Sequence, residues 1–201
     1  MPVDTKIIKP FGKVTKSLII GKGPKNITLE TLDPHKLRDL LAKEKVAKKG
    51  SNIVFIDCQS FADKGNTGSQ IHGAIHIDMV GAHLSQAKFN AVIKAKPDVY
   101  NKIGGAELVV IYCSYGSLRS PTIMALYEDA VSDVDTRPLV YNDDQYVLLL
   151  EGGIHAYEAV KGEVPYLEKY VGMHNGKAKT VSSGGSGKLP QLSGDDHCDI
   201  Y

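Results

Sequence analysis

The sequence predicts an α/β domain, with a mainly parallel central sheet and helices on both faces. Three observations carry this reading. The apolar runs Ile53–Ile56, Leu108–Tyr112 and Tyr146–Leu150 are short and unbroken, the pattern of strands buried on both faces. Segments with apolar residues at helical spacing lie between them, so strand and helix alternate along the chain. The first two runs end in Asp57 and Cys113, polar or reactive side chains at strand ends, where ligands of open α/β sheets gather.

Taken in order, residues 1–26 read as a basic, extended N-terminal arm. Lys6, Lys9, Lys13, Lys16, Lys22 and Lys25 face the single acid Asp4. Glycines 12, 21 and 23 and prolines 10 and 24 argue against a helix, leaving an extended arm or a pair of short strands. The domain proper is expected over 27–173. Asp33 can cap a first helix, Pro34 suits its first position, and Leu37, Leu40 and Leu41 share one face; the helix should end near Lys49-Gly50. After the strand to Ile56, the polar stretch from Phe61 to Ser69 reads as a loop. Ile75-His76-Ile77 reads as a short strand, and Ser85 to Ile103 as a helical region broken near Pro97. A helix is expected to start at Pro121, its stripe of Ile123, Met124, Leu126, Tyr127, Ala130 and Val131 read as core. The last strand ends in Glu151-Gly152-Gly153, a tight turn into a helix from Ile154 to about Lys161. Residues 174–201 are Gly/Ser-rich and lack a periodic apolar face, so they read as a disordered tail. Within it, Asp195, Asp196, His197, Cys198 and Asp199 match no closed metal site, and no metal is expected.

Composition narrows the function classes. A chain of 201 residues with 42% hydrophobic and 23% charged residues suffices for one sizeable core plus tails. A net charge of +1 gives no reason to expect a nucleic-acid partner, and no apolar run is long enough to span a membrane. No secretory leader is read at Met1–Lys6. The three cysteines, Cys58, Cys113 and Cys198, are odd in number and widely spaced, which suits a reducing compartment. The cytoplasm is expected, with the nucleus left open.

The chemistry is expected in Val109–Pro121, an apolar strand that breaks into a small polar loop and then a helix. Cys113 closes the strand, and Arg119 follows after Ser114, Tyr115, Gly116, Ser117 and Leu118. A loop of that length over a helix N-terminus can turn its N–H groups inward around an anion, with the helix dipole adding partial positive charge. The same field favours a thiolate, the nucleophilic form of cysteine, and the arginine fork can hold two oxygens of a tetrahedral oxyanion. The bland alternative is that Cys113 is a small core residue, as free cysteines commonly are.

The Cys, five residues, Arg loop followed by Ser120-Pro121 resembles the active-site loop of the rhodanese-fold phosphatases and arsenate reductases, the branch of the cell-division-cycle dual-specificity phosphatases and small eukaryotic arsenate reductases. Two further stretches resemble that branch in the same order. Ile53 to Ser60, with Gln70 to Ile77, is similar to its early strand, aspartate and His-Ile-Gly-Ala turn; Leu148 to Tyr157 is similar to its last strand, Gly-Gly turn and short helix. The resemblance implies a rhodanese-like domain, Cys113 as nucleophile and Arg119 as oxyanion ligand. It further implies that Asp57 sits at the base of the loop to orient the arginine or the loop amides. His72 and His76 fall in the turn, where the resemblance implies structural work, and Cys58 reads as inert packing.

The resemblance implies a cysteine-dependent protein phosphatase, for tyrosine or with dual specificity, working through a phospho-cysteine. The alternative is an arsenate reductase using the same loop with glutathione and glutaredoxin. Sulfurtransferases of this fold carry a loop shorter by one residue, so five residues favour the larger oxyanion. A non-catalytic module that binds a phosphorylated partner also stays open. No resident cofactor is expected. The chain departs from the phosphatases in having Tyr112 where they place histidine, and Ser114 and Leu118 where they place loop glutamates. With no acid in the loop, alkoxide leaving groups would depart slowly, whereas phenolate or arsenate needs less help. Tyr115, at the apex, either flanks an aromatic substrate or shields the loop.

Overall fold

The computed structural model describes residues 12–20, 23–47, 52–60, 63–64, 68–77, 85–174, 177–182 and 199–200. The strands are β1 (Gly12–Ile20), β2 (Gly23–Leu32), β3 (Ile53–Asp57), β4 (Ser69–Ile71), β5 (Ile75–Ile77), β6 (Leu108–Tyr112), β7 (Tyr146–Leu150), β8 (Leu167–His174), β9 (Lys177–Ser182) and β10 (Asp199–Ile200). The helices are α1 (Pro34–Ala47), α2 (Gln86–Lys94), α3 (Pro97–Gly104), α4 (Arg119–Ser132) and α5 (Gly153–Glu158). The main sheet has the order β1-β2-β7-β6-β3-β5-β10, and all its pairs are parallel except β1 with β2. A second, antiparallel sheet has the order β4-β8-β9. Among the described residues no helix is long and apolar enough to cross a membrane.

Period-two alternation along the central strands splits the core in two. Val109 and Ile111 of β6 join one cluster with α2, α3 and α4, while Leu108, Val110 and Tyr112 join the other with α1 and α5. All five residues of β6 are buried, which is why the strand reads as an unbroken apolar run. Helix α1 begins as expected: Asp33 Oδ1 accepts from the backbone N–H groups of His35 at 2.9 Å and Lys36 at 3.1 Å. The helical region before β6 is divided into α2 and α3 at Pro97.

Five expectations need correction. The boundary at 26/27 falls inside β2, which pairs with β7 and ties the hairpin into the main sheet. Leu18 and Leu29 are buried in the α4 cluster, a gain of about 1.5–3 kcal/mol for each side chain removed from water. The hairpin therefore covers α4, and that helix is buried from Ser120 to Tyr127 instead of along one stripe. Helix α4 starts at Arg119, two residues before Pro121; a proline in the first turn costs no hydrogen bond, because those N–H groups have no intrahelical partner. The stretch from Phe61 to Ser69 is not all loop: Lys64 N–H donates to Ser60 O at 2.9 Å in a helical turn, and β4 opens at Ser69. Within 174–201, residues 177–182 form β9 against β8. Residues 1–11 and 183–198, with Cys198, lie outside the described residues.

Candidate active site

Strand β6 carries Cys113 to the end of the sheet, and α4 starts six residues later. Leu118 occupies the helix N-cap position and supplies no side-chain acceptor, so the first N–H groups of α4 are left for another partner. Cys113 is 5% exposed, and Ser120 Oγ donates to its Sγ at 3.2 Å. The Ser114 hydroxyl, buried and next to Cys113, has no hydrogen-bond partner among the described residues. A buried hydroxyl in that state costs about 1–3 kcal/mol, a cost that a bound oxyanion would relieve.

The loop is held by backbone. Ile154 N–H donates to Cys113 O at 2.9 Å and His155 N–H to Ser114 O at 3.2 Å, docking the loop onto the turn before α5. Two left-handed glycines make this approach feasible. Gly116 has φ +65°, and a Cβ there would lie 3.0 Å from Leu150 O; Gly153 has φ +64°, and a Cβ there would lie 2.3 Å from Cys113 O. On the outside, Tyr115 and Leu118 are exposed, and the Tyr115 ring stacks on His155 at 4.5 Å between centroids. Ser117 is exposed too, while Gly116 between it and Tyr115 is buried.

Arg119 forms an ion pair with Asp63, through Nη1 and Oδ2. Asp57, expected to orient the arginine or the loop amides, pairs with Lys64 and not with Arg119. Its Oδ2 lies 3.1 Å from Lys64 Nζ, both side chains being almost completely buried, and its Oδ1 accepts from Gln59 N–H at 2.9 Å. The reason is the pleat. Asp57 stands opposite Tyr112 in the parallel register, so it projects to the Tyr112 face, away from the face that Cys113 takes. Lys64 Nζ also donates to Gln70 Oε1 at 3.2 Å, and Tyr112 Oη accepts from Ile71 N–H at 3.0 Å. Burial first, and then the Asp57 charge, push the Tyr112 hydroxyl far above its ordinary pKa, so Tyr112 stays a neutral phenol.

Asp63 and Lys64 were missed in the sequence, although a signal existed. Ser60-Phe61-Ala62-Asp63 has the S-x-x-D spacing of a capping box, and the structure forms it: Asp63 N–H donates to Ser60 Oγ at 3.0 Å and Ser60 N–H to Asp63 Oδ2 at 3.2 Å. The remaining expected residues have structural partners. Cys58 is buried, its N–H donating to Tyr112 O at 2.8 Å; the His76 ring shares a 2.6 Å hydrogen bond with Gln59 O; His72 pairs with Glu168.

With this geometry in hand, the chain can be set beside known structures. An As-Sb reductase from Leishmania major superposes with a TM-score of 0.52 at 18% identity, covering 75% of this chain and 91% of that one. The fold is rhodanese-like. Saccharomyces cerevisiae Ygr203w, described as a homolog of single-domain rhodanese and the Cdc25 phosphatase catalytic domain, matches with a TM-score of 0.40 at 16% identity, over 65% of this chain and 80% of that one. No protein-family model matches the chain, and no curated protein does. In this rhodanese-like domain the Cys113 loop, the Asp63–Arg119 pair and the Asp57–Lys64 pair all lie at one end of the main sheet, beyond the carboxyl ends of β3 and β6.

Proposed function

We propose that the chain is a cysteine-dependent protein phosphatase whose substrates carry a phenolic phosphate, phosphotyrosine above all. The observation that carries this reading is the Ser120 hydroxyl on the Cys113 sulfur, 3.2 Å away, at the floor of a loop that ends in Arg119. The Cys113 thiolate attacks phosphorus in line, an S–P bond forms, and the P–O bond to the leaving group breaks. Loop N–H groups and the guanidinium balance the charge on the non-bridging oxygens. Water then attacks the phospho-cysteine, releasing inorganic phosphate and restoring the thiolate.

The leaving group is chosen by the loop itself, which carries no carboxylate between Cys113 and Arg119. Asp63, the carboxylate beside the loop, is committed to its ion pair with Arg119. A phenolate can leave without a general acid far better than an alkoxide can. The exposed Tyr115 and Leu118 give an aromatic group an apolar rim to rest on.

Arsenate reduction is the second reading, favoured by the same acid-free loop, because arsenate presents no ester to cleave. Arsenic would take two electrons, one thiolate coming from Cys113 and the other from glutathione. The resulting mixed disulfide would be reduced by a further thiol or a glutaredoxin. Either chemistry needs Cys113 reduced, as in the cytoplasm.

The test is hydrolysis of para-nitrophenyl phosphate by the wild type and Cys113→Ser, run beside arsenate reduction with glutathione and glutaredoxin. Release of nitrophenol that falls to background in Cys113→Ser is the expected result. Arsenite without nitrophenol would move the assignment to the reductase. Silence in both assays, with Cys113 titrating as a free thiol, would overturn both enzymatic readings.

A further inference from the structure

We propose that Asp63 is a positioning residue that sets the orientation of Arg119 for the oxyanion; the proposal rests on reading the 113–119 loop as an oxyanion nest. Asp63 is itself held from three sides. The capping box with Ser60 fixes its backbone and places Oδ2, which accepts from Ser60 N–H. The next residue, Lys64, is anchored in the core by its ion pair with Asp57 and its hydrogen bond to Gln70. A carboxylate so restrained can restrain what it touches, and it touches Arg119.

The contact uses one corner of the guanidinium. Nη1 meets Asp63, and among the described residues the Nε–Nη2 edge has no partner, so it can face a tetrahedral anion with two parallel N–H donors. An arginine at the first position of a helix has a long side chain with many rotamers. Fixing it before the anion arrives removes that ordering cost from binding. Ser60, Asp63 and Lys64 thus link the buried base of the sheet to the arginine of the nest.

Charge alone predicts the opposite effect. Asp63 is an anion next to an anion site, so a purely electrostatic or competing role means that its neutralisation strengthens oxyanion binding. Positioning means that neutralisation weakens it. The sign separates the two.

The experiment is protection of Cys113 from iodoacetamide by inorganic phosphate, read as the phosphate concentration that halves the alkylation rate. It needs no turnover. Asp63→Asn keeps an oxygen that can accept from Ser60 N–H while discarding the charge that holds Arg119; Asp63→Glu restores the charge. The expected result is a half-protection concentration about 3- to 30-fold higher in Asp63→Asn, the scale of one partly exposed charge-assisted hydrogen bond, with partial recovery in Asp63→Glu. Unchanged or tighter protection in Asp63→Asn overturns the positioning role while leaving the nest intact. No phosphate protection in the wild type overturns the nest itself, and this proposal with it. Circular dichroism and urea midpoints of the variants guard the comparison, since a folding defect would lower the midpoint and raise alkylation with and without phosphate alike.

Discussion

The loop leaving β6 and the segment leaving β3 are neighbours at one end of the sheet, yet they are held by different forces. The β6 loop is fixed by backbone: the carbonyls of Cys113 and Ser114 accept from α5, and left-handed glycines allow the chains to meet. The β3 segment is fixed by charge: Asp57 to Lys64 in the core, Asp63 to Arg119 toward solvent. A backbone-built loop tolerates changes in salt and pH but not an added Cβ. A charge-built segment tolerates shape changes and fails when one partner is removed. The nest needs both, because its walls are main chain while its arginine is a long side chain that a partner must hold.

The largest expected effect is at the backbone side. Gly153→Ala puts a Cβ into the Cys113 carbonyl and forces alanine into a left-handed conformation, so we expect a loss of about 3 kcal/mol or more together with loss of activity. Urea denaturation and nitrophenyl phosphate turnover check it. A variant with wild-type midpoint and activity would mean that the loop does not dock on the α5 turn.

On the charge side, Lys64→Ala strands the Asp57 carboxylate in the core, at an expected cost of about 3–5 kcal/mol. The double variant Asp57→Asn/Lys64→Met should recover most of it. If Lys64→Ala alone leaves the urea midpoint unchanged, the pair is not buried in solution and the contrast between the two segments collapses.

The smallest effect concerns pH. The hydrogen bond that His72 donates to the Glu168 carboxylate raises the His72 pKa above its ordinary 6.5, against the lowering effect of burial, and the Glu168 charge adds to the rise. The folded pKa lies above the unfolded one, so the contribution is fully present below pH 6.5 and is lost as pH rises through the folded value. Between about pH 6 and 8 the wild type should lose a little urea stability that His72→Gln does not lose. This pair, on the β4–β8 side, is also a control. Nitrophenyl phosphate turnover should not follow it, and a parallel fall in kcat at the same pH would couple the second sheet to the site.

How much of this was legible in the sequence depends on the type of interaction. The α1 cap at Asp33, the break at Pro97 and the five buried residues of β6 follow from local rules, and so does the loop from Cys113 to Arg119. The hairpin was half legible: the glycines and prolines of 1–26 left a pair of short strands or an extended arm, but that Leu18 packs with Leu29 over a helix depends on contacts no local pattern shows. Asp63 had its S-x-x-D spacing, but the polar composition around it hid a single helical turn.

By itself the sequence determined the strand–helix alternation, the rhodanese-like order of its motifs and the Cys113 to Arg119 spacing. These are set by period, turn chemistry and chain connectivity within a few residues. Only the tertiary structure decided which carboxylate meets the arginine. The pleat sends Asp57 to the face opposite Cys113, where the buried Lys64 meets it, and a capped turn brings Asp63 across to Arg119 from a residue 56 positions away in the chain. Pairings at that separation depend on strand register and face, which no local pattern encodes.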